Sequence, residues 1–183
     1  MRITEFKKFV IILGFRDVEI VDSGEFLKGV RANVAPATVQ LFDADHVAGK
    51  PHLFFAALNA LKAFENGRNI SEKLEMEALL YASGQRQIDI AIEMLGVRPE
   101  SSKIALLMIA SKEREATEAE KAVPGIHDDK VLDISGEGKI RDLMEVFGVT
   151  RLELETMVES DEDRERVLMW LIIERNALLA IKH

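Results

Sequence analysis

Between His52 and Glu65 the chain spells a helix that is apolar on most of its sides, with Leu53, Phe54, Phe55, Ala57, Leu58, Leu61 and Phe64. So broad an apolar surface has to be buried against more than one neighbour, or against a partner. Pro51 suits the first helical turn, where its missing N–H costs nothing, and Gly67 stops the helix. The covering layers are legible in the same sequence. Phe9–Phe15 (FVIILGF) is a short, continuous apolar run that reads as a buried strand, and Asp17–Val21 continues it past a bend. Thr38–Phe42 alternates and is β-rich, so it reads as a strand stopped by Asp43-Ala44-Asp45. Lys103–Ala110 reads as another, and Val131–Ile134 as an edge strand.

Helices fill the remainder. Ser23 caps a helix over 24–32 that Pro36 ends, and Ser71 caps one over 72–82. Gly84 supplies a left-handed stop, after which Ile88, Ala91, Ile92 and Leu95 give the i, i+3, i+4, i+7 signature of a helix over 86–95. Further helices are expected over 111–123, over 139–147 ending at Gly148, and over 152–158 capped by Thr150. A last helix starts in the acidic run from Ser160 through Asp161, Glu162 and Asp163 and reaches about Lys182. With 183 residues and no internal repeat or domain-sized linker, the expectation is one domain over 1–183. Its fold class is α/β of the α+β type: a small mixed, largely antiparallel sheet of about four strands packed with several helices.

The chain has no cysteine, which excludes disulfides, thiolate nucleophiles, iron–sulfur clusters and cysteine zinc sites. No apolar run approaches the length of a membrane span, and Phe9–Phe15 lacks a cleavage signal. A cytoplasmic protein with no membrane partner is therefore expected. The net charge of −8 excludes a uniformly basic coat for nucleic acid. Its distribution is uneven: residues 1–110 hold 13 basic and 14 acidic side chains, residues 111–183 hold 11 and 18. A polyanion would have to bind the first part.

Catalytic signatures are absent: there is no G-x-S-x-G and no H-E-x-x-H. Gly136-Glu137-Gly138-Lys139 fails as a phosphate loop, because Asp133 stands where its first glycine belongs and Ile140 replaces the Mg²⁺-binding hydroxyl. Asp43, Asp45, His46 and His52 allow two readings, a hard metal site of a metal-dependent hydrolase or an Asp-rich turn whose carboxylates cap the next helical turn. The second fits the local pattern, and neither metal nor cofactor is expected.

The stretch from Gln40 to Leu95 carries more specific information. The F-D-A-D turn at 42–45, the H-L-x-x-A-x-x-A series at 52–60 and M-E-A-L-L-Y-A-S-G-Q-R-Q-I at 76–88 resemble the kinase-binding subunit family of the KEOPS (EKC) complex, which makes threonylcarbamoyl-adenosine in tRNA. The last helix, around Ile173–Lys182, resembles that family's closing helix, although Asn176 stands where an aliphatic residue is usual. The resemblance implies a non-catalytic subunit that docks on the complex's small atypical kinase/ATPase and helps recruit tRNA by its single-stranded 3′ CCA end. A protein–protein adaptor with no RNA site of its own is the alternative.

The residues at the second glycine stop suit such a role. If a helix begins at Arg86, the N–H groups of Gln85, Arg86 and Gln87 lack intrahelical partners and sit at the positive end of the dipole, where a phosphate or ribose oxygen binds well. Arg86 adds a bidentate charged contact, and Gln85 and Gln87 can read base or sugar edges. Ser83 and Gly84 shape the corner. Ile70, Leu80 and the face of Tyr81 are candidate surfaces for bases, and Lys50, Arg68 and Lys73 candidate surrounding cations. The same residues also fit plain structure: Gly84 as a helix stop, Ser83 as a cap, Arg86 as a bridge to Glu77. Phe54, Trp170 and Ile173, on helices with more apolar surface than one stripe needs, are candidates for the kinase-binding face.

Overall fold

The computed structural model describes residues 1–112, 114–158, 160 and 163–181. Five strands form one sheet in which every pair is antiparallel: β1 (Arg2–Ile3), β2 (Lys8–Arg16), β3 (Thr38–Asp43), β4 (Ile104–Ala110) and β5 (Ile126–His127). The 104–110 run is uninterrupted in apolar residues because β4 is central and buried along its whole length. β2 lies on one side of it, Phe9 opposite Ala110 through Phe15 opposite Ile104, and β3 on the other, Thr38 opposite Ile109 through Asp43 opposite Ile104.

Successive side chains of a strand point to opposite faces, so β4 feeds two cores. Ala105, Leu107 and Ile109 join Val10, Ile12 and Phe42 on one face, under the helices α2 (Gly49–Glu65), α3 (Leu74–Ser83), α4 (Ile88–Leu95), α6 (Gly136–Phe147), α7 (Arg151–Met157) and α8 (Arg164–Ala177). Ile104, Leu106, Met108 and Ala110 join Phe15, Val39 and Leu41 on the other, under α1 (Ser23–Val34) and α5 (Glu115–Ala122). The sheet is thus sandwiched between helices. α2 is apolar nearly all round because it lies in the thicker layer, touching β2, α3 and α8.

Several boundaries differ from the sequence expectation, each for a local reason. The two further strands, β1 and β5, hold two residues each, too few to show a period. Val131–Ile134 is not an edge strand. Asp128 accepts from the Lys130 N–H and winds Asp129–Leu132 into a 3-10 turn, leaving Ile126–His127 to pair with β2. Asp17–Val21 does not extend β2, since Asp17 takes a left-handed conformation (φ 56°) and the Val18 N–H turns to Ser102. α1 is capped by Asp22 rather than Ser23, with Asp22 Oδ1 accepting from the Glu25 N–H at 2.8 Å. α5 is shorter than the 111–123 expected. Thr150 caps α7 through a reciprocal capping box with Glu153. In the acidic start of α8, Ser160 donates to Asp163. Asp161, Glu162 and the helix end expected at Lys182 lie outside the described residues. No described helix is long and apolar enough to cross a membrane.

Candidate functional site

α3 ends where Gly84 takes the left-handed conformation (φ 67°, ψ 19°), its N–H returning to the Leu80 carbonyl. The corner differs from expectation in its amides. α4 starts at Ile88 with Gln87 as its cap, two residues later than expected. The Gln85 N–H is not free: it donates to the Leu80 carbonyl at 3.2 Å and lies 3.3 Å from the Ser83 hydroxyl. Ser83 is buried, and its hydroxyl donates to Leu80. Leu80 is buried completely and cannot meet a base. The inner side of the corner is closed as well, since a Cβ at Gly84 would stand 2.6 Å from Asn176 Oδ1.

What lies open is a cleft of about 470 Å³ beside the corner. Asn59, Lys62 and Ala63 of α2, with Asn66 that caps its end, form one wall, Arg68 and Ile70 of the following loop another. Tyr81 and Arg86 close it from the α3–α4 side, with Leu179 and Ala180 from the turn after α8. Three cations line it, and no carboxylate is among its lining residues. Tyr81 is only 5% exposed, a wall rather than a stacking platform. Burial pushes its phenol pKa up and Glu77 adds to this while Arg86 opposes, so the hydroxyl keeps its proton and can donate.

The loop that carries Arg68 and Ile70 is pinned from below. The fully buried Glu77 carboxyl accepts from the Ile70 N–H at both oxygens (3.1 and 2.9 Å) and from the Ser71 N–H at 2.7 Å. This is why Ser71 does not cap α3: its N–H faces Glu77, its hydroxyl accepts from Lys73, and the helix starts at Leu74.

Of the residues singled out in the sequence, Arg68, Ile70 and Arg86 meet in the cleft, with Gly84 and Gln85 half-buried at its corner and Gln87 exposed beyond. Lys73 is exposed outside the lining. Lys50 is placed elsewhere. It stands at the far end of α2, pairs with Asp129 and lines a separate cleft with Pro51, Ser135 and Arg166. Thirteen residues of helix separate it from Ala63, about 20 Å. Sequence reading missed Asn59, Lys62 and Asn66, although their i, i+3, i+7 spacing puts them on one face. Leu179 and Ala180 are brought there only by tertiary packing.

A buried polar node lies behind the corner. His52 is 2% exposed; its Nδ1 accepts from the Ala48 N–H at 3.2 Å, and its Nε2–H therefore donates to the Ala82 carbonyl at 2.7 Å. The Asn176 amide donates to the same carbonyl, tying α8 to α2 and α3. Burial lowers the His52 pKa to about 4, against a smaller opposing effect of the Ala82 bond. The unfolded chain, with an ordinary pKa near 6.5, takes up the proton first on acidification, so stability present above pH 6.5 is lost as pH falls towards 4. The loss from this group reaches about 3 kcal/mol. Denaturant unfolding at pH 7 and pH 4.5 should show a smaller acid-induced loss in His52→Gln than in the unaltered chain; equal losses would contradict the assignment.

The metal-ligand reading loses its ligand set. Asp43 accepts from the Asp45 N–H and the Ser101 hydroxyl, His46 contacts the Met94 carbonyl, and His52 belongs to the node. Among the described residues no three His, Asp or Glu converge to hold a metal. On the apolar side, Phe55 packs edge-to-face between Phe54 (5.7 Å) and Trp170 (5.6 Å), and Trp170 is 42% exposed. Ile173 is buried in the chain's own interior, because α8 turns that side inward, and is not available on this surface.

A family model described as kinase binding protein CGI-121 matches residues 15–179. A curated relative, the regulatory protein Cgi121 of Methanocaldococcus jannaschii, is 33% identical over 110 residues, which cover 60% of this chain and 70% of that protein.

Proposed function

The chain belongs to the CGI-121 family, the kinase-binding subunit family of the KEOPS complex, and from that premise we propose that it is a non-catalytic subunit that also holds the single-stranded 3′ CCA end of tRNA in the cleft beside Gly84. The observation that carries this reading is the cleft's charge. In a chain of net charge −8, Lys62, Arg68 and Arg86 line one concavity without a carboxylate among them. Backbone phosphates of a single strand meet these cations, and Arg86 can engage one in bidentate fashion. Asn59, Asn66 and the Tyr81 hydroxyl offer donors to base and ribose edges, and Ile70 and Leu179 offer apolar surface to the bases.

The kinase is assigned to the half-exposed aromatic face of Phe54, Phe55 and Trp170 on α2 and α8. Aromatic side chains anchor interfaces with large rigid area, and this face is separate from the cleft lining.

Gel-shift titration of the full chain with tRNA tests the RNA assignment. Trimming the CCA end should remove most binding. Arg86→Ala should weaken it by about 10- to 100-fold, the worth of a charged hydrogen bond, while the thermal unfolding midpoint stays near its original value. With about three phosphates neutralised, log K should fall with log salt at a slope near −2. Equal binding of trimmed and intact tRNA defeats end recognition, and no retardation of either at tens of micromolar protein leaves a protein–protein adaptor.

A further inference from the structure

On the face of the molecule formed by the 3-10 turns and the start of α6, a second cleft of about 550 Å³ takes no part in either assignment above. Lys139 stands in its wall, in the first turn of α6. Three features set this amine apart. It sits at the positive end of a helix dipole, where a cation is disfavoured. It is half-buried. Its Nζ donates to the Val131 carbonyl at 2.9 Å, but among the described residues no carboxylate lies within ion-pair distance. Of the other lysines of this cleft, Lys103 pairs with Asp45 at 3.3 Å, and Lys130 is exposed to solvent rather than half-buried.

We propose that Lys139 is a site of covalent acylation, taking an acyl group from an acyl phosphate that enters this cleft. The neutral amine attacks the carbonyl carbon; the new C–N bond forms as the C–O bond to phosphate breaks, inorganic phosphate leaves and the amine proton passes to solvent. Lys130, exposed on the wall and in no ion pair among the described residues, is the cation left for the phosphate leaving group, since Asp45 holds Lys103 and Asp17 and Asp128 hold Arg16. The product requires no rearrangement, since the amide N–H that replaces the amine can keep the bond to Val131. The cleft volume takes a small acyl group.

The electrostatics favour the neutral amine. Burial lowers the Lys139 pKa to about 8; Asp45, Asp133 and Asp43 pull it up, and Lys103 pushes it down. Asp128 and Asp142 complete the charged wall. At pH 8 about half of this amine is neutral, against well under 1% of an ordinary lysine.

The test is acetylation of the full chain by acetyl phosphate at pH 8, with site occupancy read by peptide mass spectrometry. Lys139 should react roughly tenfold faster than Lys103 and Lys130, which share the cleft, once burial is set against the larger neutral fraction. That advantage should vanish in urea. Acetylation of Lys139 no faster than its neighbours overturns the proposal. So does an advantage that persists in the unfolded chain, which would place its cause in the local sequence.

Discussion

Glu77→Ala is expected to lower stability by about 3–4 kcal/mol and the unfolding midpoint by roughly 10 °C. The carboxyl is completely buried and accepts from the Ile70 and Ser71 N–H groups, so its removal leaves two backbone donors without partners and a void between α3 and the 66–71 loop. The effect should be local before it is global. Hydrogen exchange at the Ile70 and Ser71 amides is expected to accelerate well ahead of that in β4. Glu77→Gln keeps the shape but turns one acceptor into a donor facing a donor, and should fall between the two. The same loop carries Arg68, so tRNA affinity should drop in step with amide protection. Unchanged protection at Ile70 and Ser71 in Glu77→Ala would show that the loop is held by other means.

Gly84→Ala is expected to cost about 2–4 kcal/mol. A left-handed backbone penalises any Cβ by about 1–2 kcal/mol. Here the added carbon would also meet Asn176 Oδ1 at 2.6 Å, and Asn176 cannot swing aside without releasing the Ala82 carbonyl in a buried node. The two contributions are separable. In an Asn176→Ala background the clash is gone, and Gly84→Ala should cost only the conformational part, about 1–2 kcal/mol. Denaturant unfolding of the four proteins in this cycle gives the coupling energy. A value of zero would mean that the corner tolerates a side chain by shifting as a unit.

The large-scale plan was legible because it rests on period and continuity. β2, β3 and β4 were readable from their apolar runs, and α2 from a surface too apolar for one neighbour. What escaped was determined by individual hydrogen bonds and by packing, which period and continuity do not show. Ser71 has every local mark of a helix cap, yet its N–H is claimed by Glu77 six residues on, and α3 starts late. Ser83 and Gln85 satisfy each other and Leu80, so the Gln85 amide is not the bare donor that a helix beginning at Arg86 would have offered. Leu80 and Ile173 are apolar residues on helices with several apolar faces, and only packing decides which faces point inward. At the candidate site, Arg68, Ile70 and Arg86 were anticipated because they flank the glycine stops. Asn59, Lys62 and Asn66 were not, because polar residues at helical spacing ordinarily mark a solvated side. Lys50 was misplaced for a simple reason: nearness in sequence to the start of α2 says nothing of the far end, where the cleft lies.

α2 carries Phe54 and Phe55 near its start and Asn59, Lys62 and Asn66 towards and just beyond its end. A single unbroken rod therefore spaces the two partners assigned to this chain. At 1.5 Å of rise per residue, Phe55 and Asn66 are offset by about 16 Å along the axis. Under the two assignments proposed above, the subunit would work as a gauge: a nucleotide terminus at one end of this helix and a protein lobe at the other would be kept at a standing interval, with no hinge between them to lengthen or shorten it.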